Sequence, residues 1–243
     1  MTYPELQIQF DLNHDSHLNV LKNVSTCRLI RYGYLFVDSE DGHCYLFNKN
    51  GQEDDINKVK SIGKYAFYSC TFLKNINIPD FVESIGKYAF YDCNSLKGIK
   101  ILDSVKSIGE YAFSQCKSLK SIEIPDSVKS IAYAAFAQCA SLTSINITNS
   151  VKSIREYAFY NCNSLKSIKI PDSVNSIGKW AFGDCTSLKN ITIPDSVESI
   201  GKWAFEHCAS LTSIAFEGKT IGQVKAMEWY PWGIEDESII KCV

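Results

Sequence analysis

Cysteines fall at Cys70, Cys93, Cys116, Cys139, Cys162, Cys185 and Cys208, each 23 residues after the last. A spacing held that strictly belongs to an architecture before it belongs to any chemistry, so the repeat has to be read first. Aligned on the cysteine, the pattern from Val59 onward is V-K-S-I-G-K-Y-A-F-x-x-C-x-S-L-K-S-I-x-I-P-D-S, and it runs through seven copies without insertion to about Thr220.

Within a copy, "LKSIEI" places Leu119, Ile122 and Ile124 so that Ser121 and Glu123 alternate with them, which is strand periodicity. The reading is one strand per coil. "PDS" supplies the turn, because Pro fixes φ and Asp and Ser can bond nearby backbone N–H groups. "VKSI" reads as a second short extended segment, and "GEYAFSQC" is long enough for one or two helical turns. Gly63, Gly86, Gly109, Gly178 and Gly201 precede that segment, but Ala132 and Arg155 replace glycine in two copies, so a positive φ is not required there.

One copy cannot fold alone. About six large apolar side chains give roughly 1.5–3 kcal/mol each on burial, against roughly 1–2 kcal/mol of backbone ordering for every residue. Stacking supplies the missing burial, with identical positions forming ladders about 4.8 Å apart. Phe67, Phe90, Phe113, Phe136, Phe159, Phe182 and Phe205 form one such ladder. The expected architecture is a solenoid of stacked coils, with three regions: residues 1–58 as an amino-terminal β cap or small β subdomain, 59–220 as seven repeats, and 221–243 as a carboxy-terminal cap. The first holds the alternating "LQIQFDL" and a hairpin in "YLFVDSEDGHCYLFNKNG" with Asp-Gly at its turn. In the last, Trp229, Tyr230 and Trp232 are suited to seal the final coil.

"IPDSVKSIG-YAF--C-SLKSI" resembles the BspA-like class of leucine-rich repeat, over residues 59 to about 220. The resemblance implies a right-handed solenoid with a parallel sheet on one face, in a family of bacteria and protists often found on cell surfaces and associated with adhesion to host or matrix proteins. That points to a cell-surface or secreted protein. No signal peptide opens the chain, so a cytoplasmic place is the alternative.

The cysteines read as buried, reduced thiols acting as small hydrophobes. Ladder side chains point the same way, which keeps neighbouring Cβ atoms beyond the roughly 3.5–4.5 Å of a disulfide, and one thiol per coil cannot surround a zinc ion. Cys27, Cys44 and Cys242 lie in the caps, where a Cys27–Cys44 bridge is possible. Cysteines without a necessary pairing sit more comfortably in a reducing compartment.

Catalytic chemistry has no constellation here. Asp11, His14, Asp15 and His17 lie together in "DLNHDSH", which reads as a polar loop ahead of a metal site, and His207 stands beside a Cys208 that belongs to the buried ladder. No cofactor or metal is expected. The turn carboxylates Asp80, Asp103, Asp126, Asp172 and Asp195 read as turn caps ahead of calcium ligands, since each coil offers one carboxylate and calcium takes six to eight oxygens. A net charge of −2 and the lack of a long apolar run favour neither nucleic acid nor a membrane span.

What remains is surface. Outward strand positions, Asn75, Asn77, Lys100, Ser121, Glu123, Ser144, Asn146, Ser167, Lys169, Asn190 and Thr192, form the expected binding face, for a protein partner such as a host or matrix protein. Beside them Lys97, Lys120, Lys166 and Lys189 make a basic stripe, with Lys74 in line, and Lys106, Lys129 and Lys152 make a second file. Stacked lysines either mark an acidic partner or keep the sheet from aggregating. A Tyr ladder (Tyr65, Tyr88, Tyr111, Tyr157) continues as Trp180 and Trp203 and is broken in copy four, where "IAYAAF" shifts Tyr133 and leaves Ala134; a surface notch is expected at that rung. Two alternatives stay open: an intracellular scaffold or regulator working through residues 1–58, and a carbohydrate-binding module if the Tyr/Trp ladder is exposed. Asn23, Asn146 and Asn190 head Asn-x-Ser/Thr sequons, which matter only in a glycosylating pathway.

Overall fold

The computed structural model describes residues 61–71, 73–76, 78, 80 and 82–243, together with the backbone of three strands, Val24–Ile30, Tyr34–Ser39 and Cys44–Phe47. The last two make the expected hairpin, with Leu35 opposite Phe47 and Asp38 opposite Cys44. Val24–Ile30, for which no strand was expected, pairs antiparallel with Tyr34–Ser39. "LQIQFDL", His14 and His17 lie outside the described residues, as do the side chains of Cys27 and Cys44.

From Ser61 the chain is a parallel-strand solenoid with little helix. The Ser-Ile of "VKSI" is a two-residue strand in every coil, from Ser61–Ile62 to Ser199–Ile200, each rung one period from the next, so that Ser153 faces Ser130 on one side and Ser176 on the other. The longer strands are Ser121–Ile124, Ser144–Ile147, Ser167–Lys169, Asn190–Ile193 and Ser213–Phe216. Burial alternates along them as the sequence pattern requires, with Ile inside and Ser, Asn or a charge outside. In the second coil this strand is reduced to a single bridge residue, Lys100. There Gly98 stands where a Cβ would meet nothing within 4 Å, and a strand glycine both costs backbone entropy and contributes no side chain.

Between the ladders, the "GKYAFxxC" segment is not helical. It is a run of turns with two left-handed residues per coil, the first at the Tyr/Trp position (Tyr111, φ 56°; Trp180, φ 56°) and the second just before the cysteine (Gln115, φ 61°; Asp184, φ 57°). Each costs about 1–2 kcal/mol for a residue with a Cβ. The return is a third hydrogen-bonded ladder, because this shape turns alternate N–H groups toward the next coil: Tyr111 N–H donates to Tyr133 O at 3.0 Å, Phe113 to Ala135 at 2.8 Å and Gln115 to Ala137 at 2.8 Å. A helical turn would have spent those donors within its own coil.

The glycines before this segment do not have positive φ, as expected; they are needed for close approach. A Cβ on Gly178 would sit 2.4 Å from Glu156 N, and one on Gly201 would sit 2.4 Å from Lys179 N. At the opposite corner the turn is closed by Val128 N–H to Pro125 O and its equivalents. There the serine does the tying, not the aspartate: Ser173 Oγ donates to Val151 O at 2.6 Å and Ser196 Oγ to Val174 O at 2.8 Å, one coil back, while Asp103, Asp126, Asp172 and Asp195 are exposed. The expected cap role of the carboxylate is therefore taken by its neighbour.

The core is a file of identical rungs. Phe rings stack nearly parallel, 5.0–5.7 Å apart, from Phe67 to Phe205. Ala, Cys, Leu, Val and Ile rungs close around them. Past the last repeat, Thr220 caps a short helix, Ile221–Lys225, through a capping box with Gln223. Trp232 then covers the end of the core, 1% exposed, with its ring 5.6 Å from Phe216 and its Nε1 donating to Glu228 O. Trp229 does not share in the seal and is half exposed. Ile240–Cys242 returns as one more parallel strand beside Ser213–Phe216, so the last residues extend the long-strand sheet.

Candidate functional site

Every described side chain of the expected binding face is exposed: Asn75, Lys100, Ser121, Glu123, Ser144, Asn146, Ser167, Lys169, Asn190 and Thr192. Asn77 lies outside the described residues. Lys97, Lys120, Lys166 and Lys189 are exposed beside them, as is Lys74. The parallel register brings these residues into rows, since Ser121, Ile122, Glu123 and Ile124 stand directly against Ser144, Ile145, Asn146 and Ile147. Asn146 spends its amide on Glu123 Oε1 of the preceding coil at 3.2 Å.

The charge on this face departs from that of the whole chain. Lys74, Lys97, Lys100, Lys120, Lys166, Lys169 and Lys189 occupy outward or flanking strand positions, and Glu123 is the one carboxylate among them, in a chain of net charge −2. No described carboxylate pairs with any of those lysines. Elsewhere four described lysines pair with carboxylates, among them Lys106 with Glu83 at 2.7 Å and Lys219 with Asp195 at 2.9 Å, each across one coil. Two unit charges about 4.8 Å apart repel by about 1 kcal/mol even in bulk water before salt screening. The second file is thus partly neutralised through Lys106, and the first is not.

The aromatic ladder is packed and continuous. Tyr65, Tyr88 and Tyr111 stack at 5.1 and 4.7 Å, and Tyr157 stacks on Trp180 at 6.5 Å. The expected notch is absent. Tyr133, one residue early, tilts its ring into the gap above buried Ala134, 5.2 Å from Tyr111 and 5.5 Å from Tyr157. Trp180 and Trp203 are half-buried, their rings tilted together at 5.7 Å. Ring packing between coils, rather than an open platform, is what this ladder provides.

The thiols are more than small hydrophobes. From Cys93 onward each donates to the carbonyl of the Phe one coil back: Cys93 to Phe67 O at 3.1 Å, Cys116 to Phe90 at 3.2 Å, Cys139 to Phe113 at 3.1 Å, and so on to Cys208 on Phe182 at 3.1 Å. The same carbonyl accepts the backbone N–H of its own coil's cysteine, so both oxygen lone pairs are used. A valine would pack in this place but could not donate. Burial pushes the Cys116, Cys139, Cys162 and Cys185 thiols well above their usual range, with a smaller contribution from the neighbouring thiol, and burial lifts Cys208 to about 12. These groups are protonated at neutral pH and are not nucleophiles. Because the folded thiol titrates above the unfolded one, their contribution to stability is complete below about pH 8.5 and is lost as the pH rises toward the folded values.

His207 places Nδ1 3.0 Å from Asp184 and Nε2 3.6 Å from Glu206, away from the Cys208 thiol. Among the described residues no three His, Cys, Asp or Glu converge as metal ligands, and no helix is long and apolar enough to cross a membrane.

A family model for the BspA type leucine rich repeat region matches residues 48–166 and 152–227, in six copies. No curated protein matches the chain. Among solved structures, a leucine rich repeat protein of T. pallidum is 28% identical, with a TM-score of 0.63 over 76% of this chain and 90% of that one. A leucine rich cell surface protein from Faecalibacterium prausnitzii A2-165 is 26% identical, with a TM-score of 0.49 over 79% of this chain and 70% of that one. A leucine-rich repeat protein from Bacteroides ovatus ATCC 8483 is 22% identical, with a TM-score of 0.47 over 96% and 77% of the respective chains. With the family model covering most of the sequence and the cysteine-centred repeat forming the coil it describes, the chain belongs to the BspA-type leucine-rich repeat family.

Proposed function

We propose that the chain is a non-enzymatic binding protein whose long-strand face meets an acidic, flat or extended protein partner, as in adhesion to a host or matrix protein. The observation that carries this is the row of seven lysines on the sheet face without described carboxylate partners and with Glu123 as the one carboxylate among them, set in a chain of net charge −2. Their mutual repulsion is relieved when an anionic surface covers them, which raises both association rate and salt sensitivity. Asn75, Ser121, Ser144, Ser167, Asn190 and Thr192 would supply hydrogen bonds between the charges.

A panel of host and matrix proteins, screened against the whole chain at low and physiological salt, tests the reading. Binding to an acidic member should weaken at least about tenfold in the variant Lys97→Glu, Lys120→Glu, Lys166→Glu. The matched reversal Lys106→Glu, Lys129→Glu, Lys152→Glu on the second file should cost far less. Equal losses from both variants, or binding indifferent to salt, would contradict the reading. Labelling of intact source cells with a membrane-impermeant reagent then separates the adhesion setting, in which the chain is labelled, from an intracellular scaffold, in which it is protected until lysis.

A further inference from the structure

An open trough of about 590 Å³ lies where the short Ser-Ile ladder turns into the "GKYAF" segment, in the last three coils. Its floor has no side chains over two coils, because Gly178 and Gly201 are held to glycine by the backbone beneath them. Both ends depart from the repeat. Arg155 stands at one end in the place of those glycines, with its side chain 60% exposed, and Trp229, 50% exposed, stands at the other.

The two walls differ in chemistry. One presents the serines of successive rungs, Ser153, Ser176 and Ser199. On the other, Glu156 faces Arg155 at 3.8 Å and exposed Glu228 stands beside Trp229, while Lys179 and Lys202 have no described carboxylate within pairing distance, so three cations stand against two carboxylates. Their ammonium groups rest on indole rings: Lys179 is 5.0 Å from the Trp203 centroid, and Lys202 is 3.9 Å from Trp203 and 5.3 Å from Trp229. Lys202 thus sits closer to Trp203 than to Trp229, and Trp229 is the more exposed of the two rings.

A peptide fits this trough poorly. Between the rungs the floor backbone is already bonded, with Gly178 N–H on Ile154 O and Gly201 N–H on Ile177 O, each at 2.8 Å, so strand addition is open only at the outer edge of Ser199–Ile200 and not along the trough. Nor is there an apolar hole, since Ile154, Ile177 and Ile200 are buried beneath it. A row of hydroxyls, two cations free of carboxylates and an exposed indole face suit a ligand with many hydroxyls, an anionic group and a flat C–H surface. We propose that the trough binds a short acidic oligosaccharide, its anionic group held by Lys179 and Lys202 and one sugar ring lying on Trp229. This site is separate from the long-strand face and does not depend on the function proposed for it.

Calorimetric titration of the whole chain, with indole fluorescence followed in parallel, tests it. The probes are tetragalacturonate for carboxylate, a heparin-derived tetrasaccharide for sulfate, cellotetraose as the neutral sugar and tetraglutamate as the peptide. Saturable binding of an acidic tetrasaccharide with a change in indole fluorescence is expected. Trp229→Ala, and the pair Lys179→Ser and Lys202→Ser, should each weaken it about tenfold or more, while Lys97→Ser with Lys120→Ser on the sheet face stays within about twofold. The proposal is overturned if neither acidic tetrasaccharide binds, if cellotetraose or tetraglutamate binds as tightly, or if the sheet-face variant removes the binding and the trough variants do not. Melting curves of the variants, little changed for exposed Lys179 and Trp229 and for half-buried Lys202, keep a loss of binding distinct from a loss of fold.

Discussion

Excision of residues 118–140, one whole period, is expected to leave a folded and cooperative protein, whereas excision of 118–129 is expected to abolish the folded state. The first cut joins Lys117 to Ser141 and regenerates "CKSLTSINI", so Phe113 can stack on Phe159 as it now does on Phe136. Each coil contacts chiefly its neighbours, and stability is then close to a sum of coil and interface terms. The urea m-value should fall by roughly one part in ten, in proportion to the surface removed. The second cut leaves a coil without its long strand and with too few residues to bring Phe136 above Phe113. The apolar rungs on both sides lose their cover, a loss larger than the roughly 5–15 kcal/mol by which domains are stable. Far-UV circular dichroism and urea titration of both variants read the result. A shorter cut that folds as well as the full-period one would contradict the stacked-coil account.

Phe136→Ala is expected to be the most damaging single truncation, at about 3–5 kcal/mol. Phe136 is fully buried, and its ring lies 5.5 Å from Phe113 and 5.7 Å from Phe159, parallel to the first within the precision of the angle. Neither neighbour can move in, because each is fixed by its own backbone bond to the next coil: Phe113 N–H to Ala135 O and Phe159 N–H to Ala181 O. The cavity therefore stays open. Tyr65→Ala is the contrast, since Tyr65 is 37% exposed at the first described rung and adopts a left-handed φ of 62°. Its truncation should cost about 1 kcal/mol or less, the size of an exposed aromatic pair. Denaturant midpoints of the two variants decide it, and equal losses would mean that the Phe file is not the spine of the core.

Much of this was legible because the chain repeats itself. Alternation in "LKSIEI" marked which side chains face inward, and the strict 23-residue period fixed the neighbours of every rung. What escaped was conformational. A Tyr or Trp in the left-handed region gives no warning in sequence, although the residue before the cysteine did carry one, being Asp92, Asn161 or Asp184 in several coils. Taking "GEYAFSQC" for helix missed the ladder of N–H groups that those conformations turn toward the next coil. The thiol bonds were hidden for a related reason. Cysteine in all seven copies, never alanine or valine, marked a position needing a small group that also donates, but the acceptor is a Phe carbonyl 26 residues back and only the stacked geometry shows it. Tyr133 filled a rung that spacing alone declared empty, because a ring can lean across one residue of register. The trough was beyond sequence reading altogether, being defined by what two glycines leave out.

The same cysteines give the most direct test of the account. The native chain is treated with a thiol reagent at neutral pH, quenched and mapped by mass spectrometry, with a denatured sample beside it. Of the cysteines from Cys70 onward, Cys242, which is exposed, should label in the native chain, while the six from Cys70 to Cys185, all buried, should label only after unfolding. Cys208, partly buried and held at about 12, should follow them with at most slow labelling. Fast native labelling along the ladder, or disulfides between successive rungs, would mean that the thiols do not lie inside stacked coils and would contradict the account at its root.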